Sequence, residues 1–294
     1  MVGLAPFLVS CVTTTPTENN LIVGQVYHGV VSVNNNTPQI PLPDGDWILM
    51  GSSISSNNTG QRFAHGILGQ FKNNTLDRAA YFGVALDIPS AGWIESKFCE
   101  RDNIHFIQKT SNYRGGDQDC WGVNHYRLTL TANNLPPYME QARDYVISRK
   151  ISLPLNTIIV QYRHADHLKL LDLTYHFNPE NEGFSPPAQA EWSSSDWHRD
   201  RAYMDERKMA FIAKIKSWGE GFKTKVEAGF KRQLSSVQMN QPSQMNKETP
   251  VGSDAGSDGD LTNRLSKLKS LYEQKLITKE EYAKRKKEIL DQSL

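Results

Sequence analysis

The chain contains no run of eighteen or more apolar residues, so no segment is long enough to cross a bilayer as an α-helix. It also lacks the short catalytic and cofactor signatures: there is no GxSxG, no HExxH, no phosphate-binding loop and no GxGxxG after a strand. Chemistry that depends on those motifs is excluded, and any active group must be assembled from dispersed residues. Cysteine is scarce, with three in 294 residues, and none has a CxxC neighbour, which argues against a zinc pair. A strong net charge is missing as well, the formal value being +1.

That small net charge is a cancellation. Residues 1–198 carry 13 Lys/Arg against 18 Asp/Glu (−5), 199–235 carry 10 against 5 (+5), 236–260 carry 1 against 4 (−3), and 261–294 carry 9 against 5 (+4). An acidic body is followed by a basic C-terminal third, whose natural counterpart is an anionic surface: lipid headgroups, nucleic acid, or the acidic body itself. With 38% apolar and 22% charged residues the composition is globular, sufficient for one sizeable core plus accessory segments.

Strand signals recur between Asn/Ser/Gly punctuation. Leu21–Val31, Trp47–Gly51, Phe63–Phe71, Ala79–Leu86, His105–Lys109, Cys120–Leu128, Thr157–His164 and Leu168–Phe177 are rich in β-branched and aromatic residues and predict an antiparallel sheet. Asn-Asn-Thr occurs at 35–37, 57–59 and 73–75 and reads as turns. Pro136-Pro137-Tyr138 opens a helix that runs to about Arg149, proline being tolerated in a first turn. From Asp196 the period changes: Met204, Phe211, Ile215, Trp218, Phe222, Val226 and Phe230 fall on one face of a long helix. That stripe either closes the core on the sheet or lies on anionic lipid, with Trp218 at the headgroups and Lys214, Lys216, Lys223 and Lys225 beside it. The segment 236–260 is too polar to bury a core and marks a flexible linker.

The expected fold class is therefore α+β: a mainly antiparallel body with one internal helix, a long amphipathic helix, and a C-terminal two-helix hairpin on a flexible linker. Its segments are 1–10 (signal-like), 11–20 (tether), 21–235 (body, with the long helix at about 196–235), 236–260 (linker) and 261–291 (hairpin).

Leu8-Val9-Ser10-Cys11 follows a short apolar stretch and precedes a polar Thr/Pro/Asn run. It resembles the lipobox of bacterial lipoproteins, which implies lipidation of Cys11, although no Lys or Arg precedes it as a secretory signal would require. Val12 after the cysteine, where an inner-membrane retention signal has Asp, favours by the same resemblance the periplasmic face of the outer membrane. Cys99 and Cys120 are then an even pair, suited to a disulfide in an oxidising compartment, around a turn at Arg114-Gly115-Gly116-Asp117.

Asp260, Thr262, Leu265, Leu268, Leu271 and Tyr272, followed by Leu276-Ile277, Thr278-Lys279-Glu280-Glu281 and Tyr282, Ile289 and Leu290, resemble the short C-terminal domain (SHOCT) family. Thr278 and Glu281 have the spacing of a capping box. The resemblance implies a module appended to unrelated, often envelope-associated proteins, with roles in self-association or docking and no catalytic residues to carry over. About thirty residues bury too little surface to stand alone, so such a hairpin needs a partner. Its contact face is expected to comprise Leu265, Leu268, Leu271, Tyr272, Leu276, Ile277, Tyr282, Ile289 and Leu290.

The most ligand-like cluster is His164-Ala165-Asp166-His167, with His176 on the following strand. Three histidines converging there would be needed for zinc. His28, His65, His105, His125 and His198 have no companion in sequence. No catalytic, cofactor or metal residue is assigned, and no cofactor is expected. The leading expectation is a lipid-anchored envelope protein acting as a binding or assembly component, partnered by the membrane and by a protein or second copy through the hairpin, without nucleic acid. The alternatives are an envelope hydrolase or metal-dependent enzyme, and a cytosolic protein that binds nucleic acid through its basic C-terminal third.

Overall fold

The structure, a computed structural model, describes residues 21–89, 92–128, 130, 132, 134–234, 265–266, 268–269, 272–273 and 278–291. Its centre is an eight-stranded antiparallel sheet of order β1-β4-β5-β6-β10-β9-β8-β7, made from β1 (Val26–Tyr27), β4 (Trp47–Ser56), β5 (Arg62–Lys72), β6 (Thr75–Ala85), β7 (Phe106–Asn112), β8 (Gln118–Arg127), β9 (Asn156–Ala165) and β10 (Leu170–Phe177). A small second sheet pairs β2 (Val30–Ser32) with β3 (Gln39–Pro41). Among the described residues the bounded α-helices are α1 (Pro137–Ser148), α2 (Arg199–Ala202), α3 (Glu206–Phe230) and α4 (Lys279–Asp291). The α+β class and the antiparallel sheet are as the strand signals require.

Two details differ from the sequence reading. Leu21–Val31 is two short strands, because Gly24 (φ +87°) and Gly29 (φ +65°) take left-handed conformations that end pairing. The β4 strand extends to Ser56 through Ser52, Ser53 and Ser55, residues of low strand propensity held there by pairing to β5. The Asn-Asn-Thr at 73–75 does turn the chain: Asn73 (φ 50°) and Asn74 (φ 58°) close the β5–β6 hairpin, as a two-residue turn of that hand demands.

The long apolar stripe packs on the sheet. Phe211, Ile215, Phe222 and Val226 of α3 join Trp121, Val160, Tyr162, Leu171, Leu173, Tyr175, Phe82 and Val84 in the main core. Asp205 caps this helix, accepting from the amides of Arg207 (2.9 Å) and Lys208 (3.1 Å). Gly219 allows the close approach, since a Cβ there would stand 2.8 Å from Val160 and 2.9 Å from Trp121, and its carbonyl accepts the Tyr162 hydroxyl at 2.6 Å. The membrane-surface alternative for this stripe is thus overturned, because the same side chains are already buried. Met204, by contrast, sits before α3 and is exposed. Part of the basic charge meets the acidic body: Lys214 pairs with Glu182 at 3.3 Å and Lys223 with Asp119 at 3.9 Å.

The opposite face of the sheet is only partly covered. Ala142, Tyr145 and Val146 of α1 pack with Met50, Ile67, Leu76 and Ala79, and on the middle strands Ile159, Thr174 and His176 are buried while Tyr81, Gln161 and Asp172 are half-buried. Among the described residues no helix is long and apolar enough to cross a membrane.

Candidate binding cleft

Side chains alternate between the two faces of a strand, and the register aligns them into rows across the sheet. One row on the face opposite α3 reads Ser53, His65, Gly83, Asp172, Arg163, Cys120. The next reads Ile67, Tyr81, Thr174, Gln161, Gly122. A third places Ala79, His176, Ile159 and Asn124 side by side. An antiparallel sheet commonly packs one face on the core and turns polar residues to the other. On that second face five polar side chains from β6, β10 and β9 stand together: Tyr81, Asp172, Thr174, Gln161 and Arg163.

Three hydrogen-bonded groups order this floor. Ser55 Oγ lies 2.9 Å from His65 Nε2, and His65 Nδ1 lies 3.0 Å from the Tyr81 hydroxyl. Tyr138, from the first turn of α1, stacks on His65 with ring centroids 5.2 Å apart. Arg163 donates to Asp172 at 2.6 Å and to Gln118 Oε1 at 2.9 Å. Thr157 and His176 meet at 3.0 Å, with the Tyr126 ring edge-on to His176.

The floor is reached by solvent. The Asp172 side chain is 32% exposed while its partner Arg163 is 9% exposed, and Ser53, His65, Tyr81 and Gln161 are half-buried. Burial raises the Asp172 pKa, an effect that the adjacent Arg163 charge and hydrogen bond only reduce. Burial lowers His65, and brings His176 down to about 4, so both imidazoles are neutral near pH 7. Burial, followed by the neighbouring Tyr138 and Asp172, raises Tyr81. This face, the candidate cleft, is therefore a field of neutral donors and acceptors around one internally compensated ion pair.

The histidines singled out in the sequence do not converge. His164 faces α3, 3.5 Å from Asp119 and beside the Phe230 ring, whereas His176 projects from the opposite face and His167 is exposed in the β9–β10 turn. Strand alternation separates the first two, and among the described residues no group of three ligating side chains could hold a metal ion. The structure gathers different ones. His105, His125 and His198, far apart in sequence, lie with ring centroids 5.9 and 5.8 Å apart, walled by Trp192 and Tyr203. His125 Nε2 meets the Trp192 carbonyl at 2.8 Å, but His125 Nδ1 and both ring nitrogens of His105 have no hydrogen-bond partner. Burial, then the like charge of His125, pushes His105 down to about 3; the Trp197 backbone opposes this without reaching hydrogen-bond geometry. Burial pushes His125 down to about 4.

The C-terminal helix α4 and the described residues before it lie directly beyond this cluster. Leu268 is buried against Tyr203, and Phe106, Met209 and Ala213 of the body and Tyr282 and Ile289 of α4 pack around that pair. Arg285 donates to the Tyr203 carbonyl, and Arg199 joins Glu281 (3.2 Å) to the Asp102 carbonyl (2.7 Å). The Tyr203 hydroxyl donates to the His105 carbonyl at 2.9 Å, linking the dock to the histidines. The capping box forms: Thr278 Oγ1 accepts from the Glu281 amide at 3.2 Å while Glu281 accepts from the Thr278 amide at 2.8 Å. Of the expected contact face, Leu268, Tyr282 and Ile289 meet the body, Leu265 is half-buried, and Tyr272 and Leu290 are exposed. Leu271, Leu276 and Ile277 lie outside the described residues, as do Cys11 and the linker. Cys99 and Cys120 form a disulfide.

Sequence reasoning missed the cleft. The signal was the alternation within Gln161-Tyr162-Arg163 and Asp172-Leu173-Thr174-Tyr175-His176, which gives one polar face to two adjacent strands. It was legible only as half-exposed strands. Residues 263–290 match the model of the family described as the short C-terminal domain, SHOCT. No curated protein and no solved structure matches the chain, so the sheet and its cleft stand without a relative to interpret them.

Proposed function

We propose that the protein is a binding component of a bacterial cell envelope, attached to lipid through Cys11 at the periplasmic face of the outer membrane. Its ligand is held on the open polar face of the sheet, and its C-terminal hairpin serves protein–protein docking. The observation that carries the binding role is the polar floor formed by half-buried Tyr81, Asp172 and Gln161 with buried Thr174 between them, on strands whose other face is fully packed. A convergent polar surface with ordered hydrogen bonds is the usual form of a ligand site. The lipobox-like Leu8–Cys11, the Cys99–Cys120 disulfide and the SHOCT match support the envelope setting and the docking role. Burial of Leu268 against Tyr203 supports a docking role for this segment, and exchange of that contact with a second copy would pair two chains.

Native mass spectrometry of protein extracted from its own cells tests this. The expected spectrum has an acylated Cys11 at the new amino terminus, an intact Cys99–Cys120 bridge and a co-purifying small-molecule mass. Gly83→Val removes that mass by filling the middle of the floor, where a Cβ already meets the Tyr81 hydroxyl at 3.2 Å and His65 at 3.3 Å. Free thiols with unprocessed Cys11 overturn the envelope setting, and a bare wild-type mass overturns the binding role.

A second reading rests on the Ser55–His65–Tyr81 relay, in which a neutral imidazole stands between a hydroxyl nucleophile and an orienting group, the arrangement of a serine hydrolase. Labelling of Ser55 by a fluorophosphonate probe, lost in His65→Gln, would establish it; an unlabelled Ser55 removes it.

A further inference from the structure

Resting on the cleft being the binding site, we propose that its ligand is a neutral, polyhydroxylated molecule of the saccharide class, held by side chains on the sheet floor and stacked on tyrosine. The first argument is charge. The ionised groups on the floor, Arg163 and Asp172, are hydrogen-bonded to one another, and the guanidinium is committed further to Gln118. Neither is left over to neutralise a formally charged ligand, and burying an uncompensated charge beside them is costly. Among the described residues, an anionic phosphate or carboxylate compound would find the guanidinium of this floor, Arg163, already paired.

The second argument is the kind of surface. β6, β10 and β9 are interior strands, so their backbone amides and carbonyls are spent in the sheet and cannot add a peptide strand. Recognition falls to side chains, and those present are hydroxyls and a carboxamide: Tyr81, Thr174 and Gln161. Each can donate and accept, which suits a ligand whose rim is hydroxyl groups that do the same. An acyl chain would offer Thr174 and Gln161 no hydrogen-bond partner in place of water.

The third is the aromatic wall. Tyr126 is 43% exposed and set edge-on to His176, so its ring is not consumed by packing. Tyr138 stands against the Tyr81 ring with centroids 5.6 Å apart, and Tyr126 meets His176, two residues along β10 from Thr174. Apolar ring faces beside polar side chains match a pyranose, which presents C–H bonds on its faces and hydroxyls at its edge. Gly83, between His65 and Asp172, carries no side chain, and the space beside it is taken by the Tyr81 hydroxyl and His65.

The test uses the full chain with four-residue probes: cellotetraose, maltotetraose and chitotetraose as neutral glycans, with tetragalacturonate and ATP as charged controls. Saturation-transfer NMR detects binding and calorimetry measures it, in wild type, Gln161→Ala, Thr174→Val and Tyr126→Ala, each shown folded by near-ultraviolet circular dichroism. The expected result is binding of at least one neutral probe, weakened tenfold or more by Gln161→Ala and by Tyr126→Ala, with no binding of the charged controls. Absence of neutral binding, or binding that survives both substitutions, overturns the proposal. A charged control that binds and depends on Gln161 overturns the saccharide class while leaving the cleft as the site. The mass adduct lost in Gly83→Val reports on the cleft independently of ligand class.

Discussion

Acid should unfold this protein over a pH range that its buried histidines define. His105, His125 and His176 have folded pKa values of about 3, about 4 and about 4, all set mainly by burial. In the unfolded chain each returns to about 6.5. Because the folded values are depressed, the unfolded state binds more protons below pH 6.5, and stability falls as pH drops from there toward the folded values. At pH 5 each site has lost about 1.5 pH units of proton affinity relative to the unfolded chain, or about 2 kcal/mol. The three together remove roughly 6 kcal/mol, comparable with the whole stability of an ordinary domain. Asp172 acts in the opposite direction, its raised pKa favouring the fold as pH falls, so the net slope is somewhat smaller. The perturbation that isolates the effect is His105→Phe, since neither nitrogen of His105 has a hydrogen-bond partner and a ring of similar size can fill the space. Urea unfolding at pH 7.5 and 5.0 should show the variant equal to or more stable than wild type at the higher pH, and about 2 kcal/mol less acid-sensitive between the two. Equal slopes for wild type and variant would refute the reasoning, as would a wild type whose stability is the same at both values.

Gly219→Ala pushes a methyl group against Val160 and Trp121 and should cost about 1–3 kcal/mol in urea unfolding, whereas Gly221→Ala, with open space around it, should be neutral to mildly stabilising. Reduction of the Cys99–Cys120 bridge, which closes a separation of 21 residues, should lower stability by about 3 kcal/mol, read as a fall in the urea midpoint; an unchanged midpoint would mean that the reduced chain is already constrained there. Leu268→Asp should detach the hairpin, raising hydrogen exchange at 202–209 and making Tyr203 accessible; sedimentation of that variant then shows whether the freed face associates. Asp172→Asn leaves Arg163 paired with Gln118 alone and should destabilise the fold by about 1–3 kcal/mol near pH 7 without changing secondary structure by circular dichroism.

Local chemistry determined a good deal. The capping box at Thr278–Glu281 involves side chains three residues apart and backbone groups beside them, and it forms as the spacing requires. The α1 start at Pro137, the turn at Asn73-Asn74 and the stripe from Phe211 to Phe230 are also short-range patterns, and each is present in the fold. Tertiary structure alone decided what those elements meet. The stripe of α3 fits either a sheet or a lipid surface by composition, and it is the close approach at Gly219 over Trp121 and Val160 that makes the sheet its partner. His164 and His176 are twelve positions apart on a hairpin and look like companions, yet strand alternation sends them to opposite faces. His105, His125 and His198 look unrelated and share one buried cluster. The cleft likewise needs the order β6-β10-β9 and its register to set Tyr81 beside Thr174 and Gln161, and Gly83 beside Asp172 and Arg163. A sequence carries the period of each strand, which fixes the residues that share its face. Which strand lies next to it is settled by packing between segments about a hundred residues apart, and no local pattern encodes that.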